Sequence, residues 1–301
     1  MHSETLTLPV ADHAIFTRVW RPEGPPRAVV QIVHGLAEHS ARYARLAQAL
    51  TSAGYAAYAH DHRGHGPNCK PDDLGVFAER DGWRKLLDDL DAVAARIAAD
   101  HPGVKRVFLG HSLGSILGQR YIAERGDQLA AAVFSGTSGP PPAIARVGKP
   151  IVAFERWRLG PRGKSKIVQA LLFGEQNKPF RPARTPYDWL SRDTAEVDKY
   201  LADPLCGFPL SNQLVADLVD ALADLASPQL AARVRKDLPI YVLSGASDPV
   251  GFKLQVLLDV YRAAGLNVTA KIYPGGRHET LNEINRDEAT ADLLAWLARV
   301  V

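Results

Sequence analysis

The sequence predicts an α/β fold: a mostly parallel sheet covered by helices on both faces, with a helical insertion in the middle of the chain. Three observations predict it. Short apolar runs alternate with longer stretches of helical periodicity, the pattern of βα units that build a parallel sheet. Several of the runs are apolar throughout, as strands buried on both faces must be. One run leads into a glycine-flanked serine turn, Gly110-His111-Ser112-Leu113-Gly114, which opens directly into a helix-like stretch.

Residues 5–20 alternate loosely and end at Arg21-Pro22-Glu23-Gly24-Pro25-Pro26, which reads as an antiparallel hairpin closed by a turn. Ala28 to Val33 is a buried-strand run that stops at His34-Gly35. Ser40 is placed to cap a helix from Ala41 to Ala53, closed by Gly54. Tyr55 to Ala59 is the next strand, followed by the loop His60-Asp61-His62-Arg63-Gly64-His65-Gly66. Asp81 to Asp100 has helical period, with Trp83, Leu86, Leu87, Leu90, Val93 and Ile97 on one face. Val104 to Leu109 is the strand before the serine, and a helix follows from Ile116 to Arg125. Further strands are Ala131 to Phe134, Pro239 to Leu243 and Val268 to Tyr273, with a final helix from about Asp287 to Arg299.

The stretch from Gly136 to about Asn212 breaks this rhythm. It begins Thr137-Ser138-Gly139-Pro140-Pro141-Pro142, is rich in Pro, Arg and Trp, and shows no clear strand. A structureless loop of that length is improbable. The expected organisation is a core from residues 1–136 and 213–301, with residues 137–212 as a helical cap over the carboxyl edge of the sheet.

Bulk composition excludes several classes. Hydrophobic residues make up 46% and charged residues 23% of the 301, enough for a sizeable core in one or two domains. A net charge of +3 is too small to argue for a nucleic-acid partner, and none is expected. Cys69 and Cys206 do not make a disulfide framework. The first residues, Met1-His2-Ser3-Glu4-Thr5, lead into no early apolar stretch, so a signal peptide is not expected. No uncharged apolar run approaches the ~20 residues of a membrane span. The expected location is the cytoplasm, at most peripheral to a membrane.

A G-x-S-x-G turn between strand and helix holds its serine in a strained backbone conformation, hydroxyl exposed above the sheet. A serine hydroxyl needs a neighbouring base, and the base an orienting acid. In such a sheet they follow in the order serine, acid, histidine, on loops after later strands. Asp248 lies in Ser244-Gly245-Ala246-Ser247-Asp248-Pro249-Val250, just past the penultimate strand. His278 lies in Tyr273-Pro274-Gly275-Gly276-Arg277-His278-Glu279, just past the last. Taken singly, Asp248-Pro249 reads equally as a helix cap, and His278 as a surface residue. Taken with Ser112, the coincidence of residue type and place favours a triad of Ser112, Asp248 and His278.

An oxyanion hole needs two backbone N–H groups aimed at the developing charge. The expected donors are Leu113, at the helix start after the serine, and Leu36, in the loop after the first parallel strand. Losing one such donor typically costs ~2.7–4 kcal/mol of transition-state stabilisation. The spacing of His60, Asp61, His62 and His65 fits no common zinc pattern. The expectation is that Asp61, Arg63 and His65 tie neighbouring loops, that His34 buttresses its loop, and that His111 points away from the nucleophile. No cofactor and no metal ion are expected.

Five segments together resemble the monoacylglycerol lipase and lysophospholipase branch of the α/β-hydrolases. They are His34-Gly35-Leu36-Ala37-Glu38-His39-Ser40-Ala41-Arg42-Tyr43, Asp61-His62-Arg63-Gly64-His65-Gly66, Gly110 to Gly114, Ser244 to Pro249 and Tyr273 to Glu279. The first is the most specific. The resemblance implies a serine hydrolase of glycerol or lysophospholipid esters, with Ser112, Asp248 and His278 as triad, Leu36 and Leu113 as oxyanion donors, and a helical cap. The chain departs from the family pattern at Pro67-Asn68-Cys69, where a serine is usual, and at Gly114-Ser115, where Gly-Gly is usual. The cap matches least.

The cap carries Arg146, Lys149, Arg156, Arg158, Arg162, Lys164 and Lys166 interleaved with Ile151, Val152, Phe154, Trp157, Leu159, Ile167, Val168, Leu171, Leu172 and Phe173. One reading is an amphipathic surface in transient contact with anionic lipid or an acyl substrate. The preferred reading is a lid that packs its apolar side on the core and shows its arginines to water. The leading function is hydrolysis of a small-molecule or lipid ester through an acyl-enzyme on Ser112. The alternatives are a short-chain carboxylesterase or thioesterase and a non-catalytic binding protein on the same fold.

Overall fold

The computed structural model describes residues 2–141 and 144–301, with residues 144–147 by their backbone alone. Pro142 and the side chain of Arg146 therefore lie outside the described residues. Among these residues eight strands form one sheet: β1 (His2–Pro9), β2 (Ala14–Arg21), β3 (Val29–Val33), β4 (Ala56–His60), β5 (Arg106–His111), β6 (Ala131–Ser135), β7 (Ile240–Gly245) and β8 (Val268–Tyr273). Their spatial order is β1-β2-β4-β3-β5-β6-β7-β8. β2 runs antiparallel to both β1 and β4, and all pairings from β4 to β8 are parallel.

The period of two along each strand divides the core between the faces. Phe108, Phe134 and Val242 face one side and pack with Leu86, Leu90, Leu117 and Tyr121 of the helices Gly82–Asp100 and Leu113–Arg125. Val107, Leu109, Val133 and Leu243 face the other and pack with Leu46, Leu50, Leu293 and Trp296 of the helices Ala44–Ser52 and Arg286–Val300. The strands between these layers are buried throughout, which is why they read as mostly apolar runs. They are broken only by buried polar residues such as Gln31 and Arg106, which hydrogen-bond to each other at 2.7 Å.

Several boundaries move by a residue or two. β5 runs on through Gly110 and His111, beyond the apolar residues that mark it in sequence. Ser40 does not cap a helix: residues Ser40–Tyr43 form a 3-10 turn before the helix Ala44–Ser52. The Ser40 N–H instead donates to Asp61 Oδ1 at 2.6 Å. Between β6 and β7 the described elements are helical, including Ile144–Leu159, Lys166–Phe173, Thr194–Ala202 and Asn212–Ala221.

Candidate active site

Ser112 follows β5 and immediately precedes the helix Leu113–Arg125. Its backbone sits at φ 49° and ψ −117°, a region a side chain with a Cβ rarely occupies and that costs of order 1–3 kcal/mol. The turn is locked at both ends. The Ser112 N–H donates to Ser135 O on β6 at 2.9 Å, and the Ser112 carbonyl accepts from Ser115 and Ile116 at 2.8 and 3.0 Å. Glycine is required on each side by close approach. A Cβ on Gly114 would lie 2.0 Å from Val33 O, and one on Gly110 would lie 2.3 Å from Gly114 O.

Asp248 stands three residues past β7, and His278 five past β8. His278 Nδ1 is 3.0 Å from each Asp248 carboxylate oxygen. Asp248 is no helix cap, since the next helix begins at Leu254, and its Oδ1 accepts from the Val250 N–H at 2.8 Å. Burial pushes the His278 pKa down, but the charge and hydrogen bond of Asp248 outweigh it, helped by Glu279 and Glu38. The net result is a pKa above the usual 6.5.

Ser112 and His278 line one cavity of about 470 Å³, together with Leu36 and Leu113. Leu113 opens its helix, so its N–H has no intrahelical acceptor. The Leu36 loop is braced by neutral histidines. His65 Nε2 accepts from the Ala37 N–H at 3.1 Å, and its Nδ1 donates to Arg63 O at 2.9 Å. His34 Nε2 accepts from the His62 N–H at 3.0 Å, and His62 Nε2 donates to His34 O at 3.0 Å. Burial pushes His62 and His65 down to about 3 and His34 well below 6.5, so each imidazole offers one donor and one acceptor. Arg63 closes the brace on Asp89 at 2.7 and 3.0 Å.

His111 does not point away. Its ring centroid lies 4.9 Å from that of His278, and it lines the same cavity. Nδ1 of His111 meets Ser135 Oγ at 3.1 Å. Burial and the adjacent His278 keep its pKa below the usual value.

An ionic bridge that sequence reasoning missed joins the Leu36 loop to the His278 loop. Arg42 donates to Glu38 Oε2 at 2.5 Å and to both oxygens of Glu279 at 2.7 Å. Glu38 Oε1 accepts from the Gly35 N–H at 2.6 Å and from Tyr43 OH at 2.9 Å. Burial alone would raise the Glu279 pKa, but Arg42 holds it far below the usual carboxylate range. The one signal in sequence was the Glu38-x-x-x-Arg42 spacing in the segment most specific to the resemblance.

The segment between β6 and β7 reaches into the same place. The Trp189 ring lies 5.1 Å from the His278 ring. Glu279 N–H donates to Leu190 O at 2.8 Å, and Arg277 donates to the carbonyls of Asp188 and Ser191. The apolar side chains of this segment are not all packed inward. Val152 and Val168 are buried, whereas Trp157 is 80% exposed, and Phe154, Ile167 and Leu171 are exposed with it. Its cations are largely paired, Lys149 with Asp220, Arg156 with Gln213, Arg158 with Glu155 and Arg162 with Asp73. The expected inward packing of the apolar side therefore fails at these four residues and at Ile151 and Leu159, which are exposed as well. Among the described residues no helix is long and apolar enough to cross a membrane.

Residues 24–285 match the family described as serine aminopeptidase, S33. The chain is 31% identical over 286 residues to a monoacylglycerol lipase of Mycolicibacterium smegmatis, an alignment spanning 93% of this chain and 91% of that protein. It is 30% identical over 278 residues to the monoglyceride lipase of Homo sapiens, spanning 90% and 81%. The crystal structure of a carboxyl esterase from Bacillus coagulans in complex with glycerol superposes with a TM-score of 0.92 at 26% identity, covering 100% of this chain and 99% of that one. Matched to the family over most of its length and to a lipase along nearly all of it, the chain belongs to the S33 family of α/β-hydrolases, beside the monoacylglycerol lipases, and is a carboxylic ester hydrolase.

Proposed function

We propose that Ser112 is the nucleophile of a lipid-ester hydrolase, with His278 as base and Asp248 as its orienting acid. Ser112 Oγ attacks the ester carbonyl while His278 takes its proton through Nε2, the nitrogen that Asp248 leaves free. The N–H groups of Leu36 and Leu113 hold the oxyanion. His278 then protonates the departing alcohol, and water cleaves the acyl-enzyme with the same imidazole as base. The observation that carries this reading is the strained Ser112 backbone, in one cavity with a histidine whose Nδ1 is held by a buried carboxylate. The substrate class is a monoacylglycerol or lysophospholipid. A mostly apolar cavity of about 470 Å³ suits one acyl chain, within the ~300–1,000 Å³ of ordinary ligand sites.

The core is taken as residues 1–136 and 213–301, with 137–212 as the cap. Leu172, Phe173, Trp189 and Leu190 of that segment line the cavity, which supports its role in choosing the substrate. The test is covalent labelling by a fluorophosphonate probe, with hydrolysis of a monoacylglycerol and of p-nitrophenyl esters of increasing chain length. Wild type should label once and lose its activity on labelling, and Ser112→Ala should neither label nor hydrolyse either substrate. Normal hydrolysis by Ser112→Ala would overturn the mechanism.

The exposed Phe154, Trp157, Ile167 and Leu171 favour a second element, transient contact of the cap with a lipid surface. Trp157→Ser should weaken flotation with anionic vesicles and slow hydrolysis of vesicle-borne substrate several-fold, with soluble esters unaffected. Equal flotation of the two proteins would remove the element. Both cysteines are free, which fits a reducing, cytoplasmic location.

A further inference from the structure

A group of metal-ligating side chains stands outside the cavity. His39 Nε2, a carboxylate oxygen of Asp203 and the Cys206 sulfur all lie within 4.8 Å of one another. His39 Nε2 and Asp203 Oδ2 are 2.8 Å apart. His39 is buried, and Asp203 and Cys206 are half-buried, so the group can be reached from solvent. Imidazole, carboxylate and thiolate form a donor set of tetrahedral zinc, with a fourth position left for water.

We infer that His39, Asp203 and Cys206 bind a divalent cation of the zinc class, and that its binding slows the hydrolase. The second half rests on the ester-hydrolase reading. Bonds near 2.1 Å to N and O and near 2.3 Å to S place the donors roughly 3.4–3.6 Å apart. The His39–Asp203 pair then opens slightly, and Cys206 closes by at most about 1 Å. Asp203 is already oriented, because its Oδ1 accepts from the Leu205 N–H at 2.8 Å. Glu38 and Glu279 are each paired with Arg42, at 2.5 and 2.7 Å, so the carboxylate of Asp203 is the charge that meets the dication. Binding exchanges the thiol proton of Cys206 for the metal. The product is a neutral complex of Zn²⁺ with thiolate, carboxylate and neutral imidazole, and one proton leaves to solvent.

The effect on hydrolysis follows from what the ligands adjoin. Cys206 precedes Gly207, whose N–H donates to Ala37 O at 2.9 Å. Tyr200 OH donates to the same carbonyl at 2.9 Å. Ala37, at φ 54°, lies between Leu36 and the Glu38-His39 pair. The cation therefore grips both sides of the contact that holds the Leu36 loop. Drawing Cys206 toward His39 shifts the Ala37 carbonyl and, with it, the Leu36 N–H.

The test titrates the untagged chain with Co²⁺ and Zn²⁺. Co²⁺ should give one equivalent of thiolate-to-metal charge transfer with intense tetrahedral bands. Cys206→Ser and Asp203→Asn should both lose that spectrum. Zn²⁺ at saturation should lower kcat on a soluble ester at least tenfold in wild type. Cys206→Ser should keep its basal rate with or without the ion. No stoichiometric thiolate spectrum, or an equal one in Cys206→Ser, overturns the site. One equivalent bound with kcat unchanged overturns the coupling to hydrolysis. Absence of any ester hydrolysis in the metal-free wild type would strike the hydrolase reading instead, because the cobalt spectrum is read without substrate.

Discussion

His278 Nδ1 lies 3.0 Å from both carboxylate oxygens of Asp248, and the two side chains are 2% and 1% exposed. The proton of that imidazole is thus held on Nδ1, between two acceptors and away from water. Nε2 is left as the basic nitrogen.

Asp248→Asn removes this preference at little cost in shape. An amide at the same place can present N–H to Nδ1 and favour the other tautomer, which has no free base toward Ser112. The expected loss in kcat is about 10⁴-fold, as for the equivalent change in other serine triads. Circular dichroism should remain that of wild type. A loss below about tenfold would remove Asp248 from the proposed mechanism.

The same pair sets the pH dependence. His278 must be neutral to take the serine proton, and its folded-state pKa lies above the usual 6.5. kcat/KM should therefore rise with pH with a midpoint above 6.5. The linkage has the opposite sign. A raised folded-state pKa means that the charged imidazole is better stabilised in the folded protein than in the unfolded chain. That contribution is full below the unfolded value and is lost as pH climbs through the folded one, so activity appears as it fades. In Asp248→Asn burial loses its main opponent, and an NMR titration should find the His278 pKa moved down. A wild-type midpoint at or below the ordinary histidine value would contradict the assignment.

Gly114→Ala probes the turn without touching a reacting group. The new methyl would lie 2.0 Å from Val33 O and 2.9 Å from His34 O, both backbone atoms of β3 and the loop that follows it. Backbone has little room to yield, so the helix start or the Leu36 loop must move. A shift of about 1 Å at such a site can cost on the order of 10²-fold in rate. The variant should lose hydrolysis by at least that factor, and fluorophosphonate labelling of Ser112 should slow in step.

His278 follows the edge strand Val268–Tyr273, which Thr269 and Lys271 interrupt and which the Pro274-Gly275-Gly276 turn marks in sequence. The places of Ser112 and Asp248 were readable because each follows a strand with an apolar run. Burial on both faces writes that run into the sequence. His111 was misread for a related reason. The apolar run ends at Leu109, but β5 continues to His111, and the period of two then puts His111 on the face of Val107 and Leu109. That is the face of the helix Arg286–Val300, which the His278 loop leads into. The Arg42–Glu279 contact joins residues 237 positions apart and leaves no periodic trace. The exposed Trp157 was hidden because an amphipathic pattern does not say which of its faces meets water.

Arg42 supplies the last prediction. It is the cation between two buried carboxylates, Glu38 on the Leu36 loop and Glu279 beside His278. Removing it leaves both charges in low dielectric, and breaking a buried pair in this way costs about 3–5 kcal/mol. Arg42→Ala should be destabilised by that amount in denaturant titration. Arg42→Lys should recover part of the stability, since its ammonium keeps the charge but cannot reach three oxygens from a planar fork. Activity should separate the two effects. If Arg42 only supports the fold, the lysine variant hydrolyses esters as wild type does wherever it is folded. If the bridge also sets the distance between the Leu36 N–H and His278, its kcat falls while KM for a soluble ester stays close to the wild-type value. The second outcome is expected, because the bridge ties together the two loops that carry the proposed oxyanion donor and base.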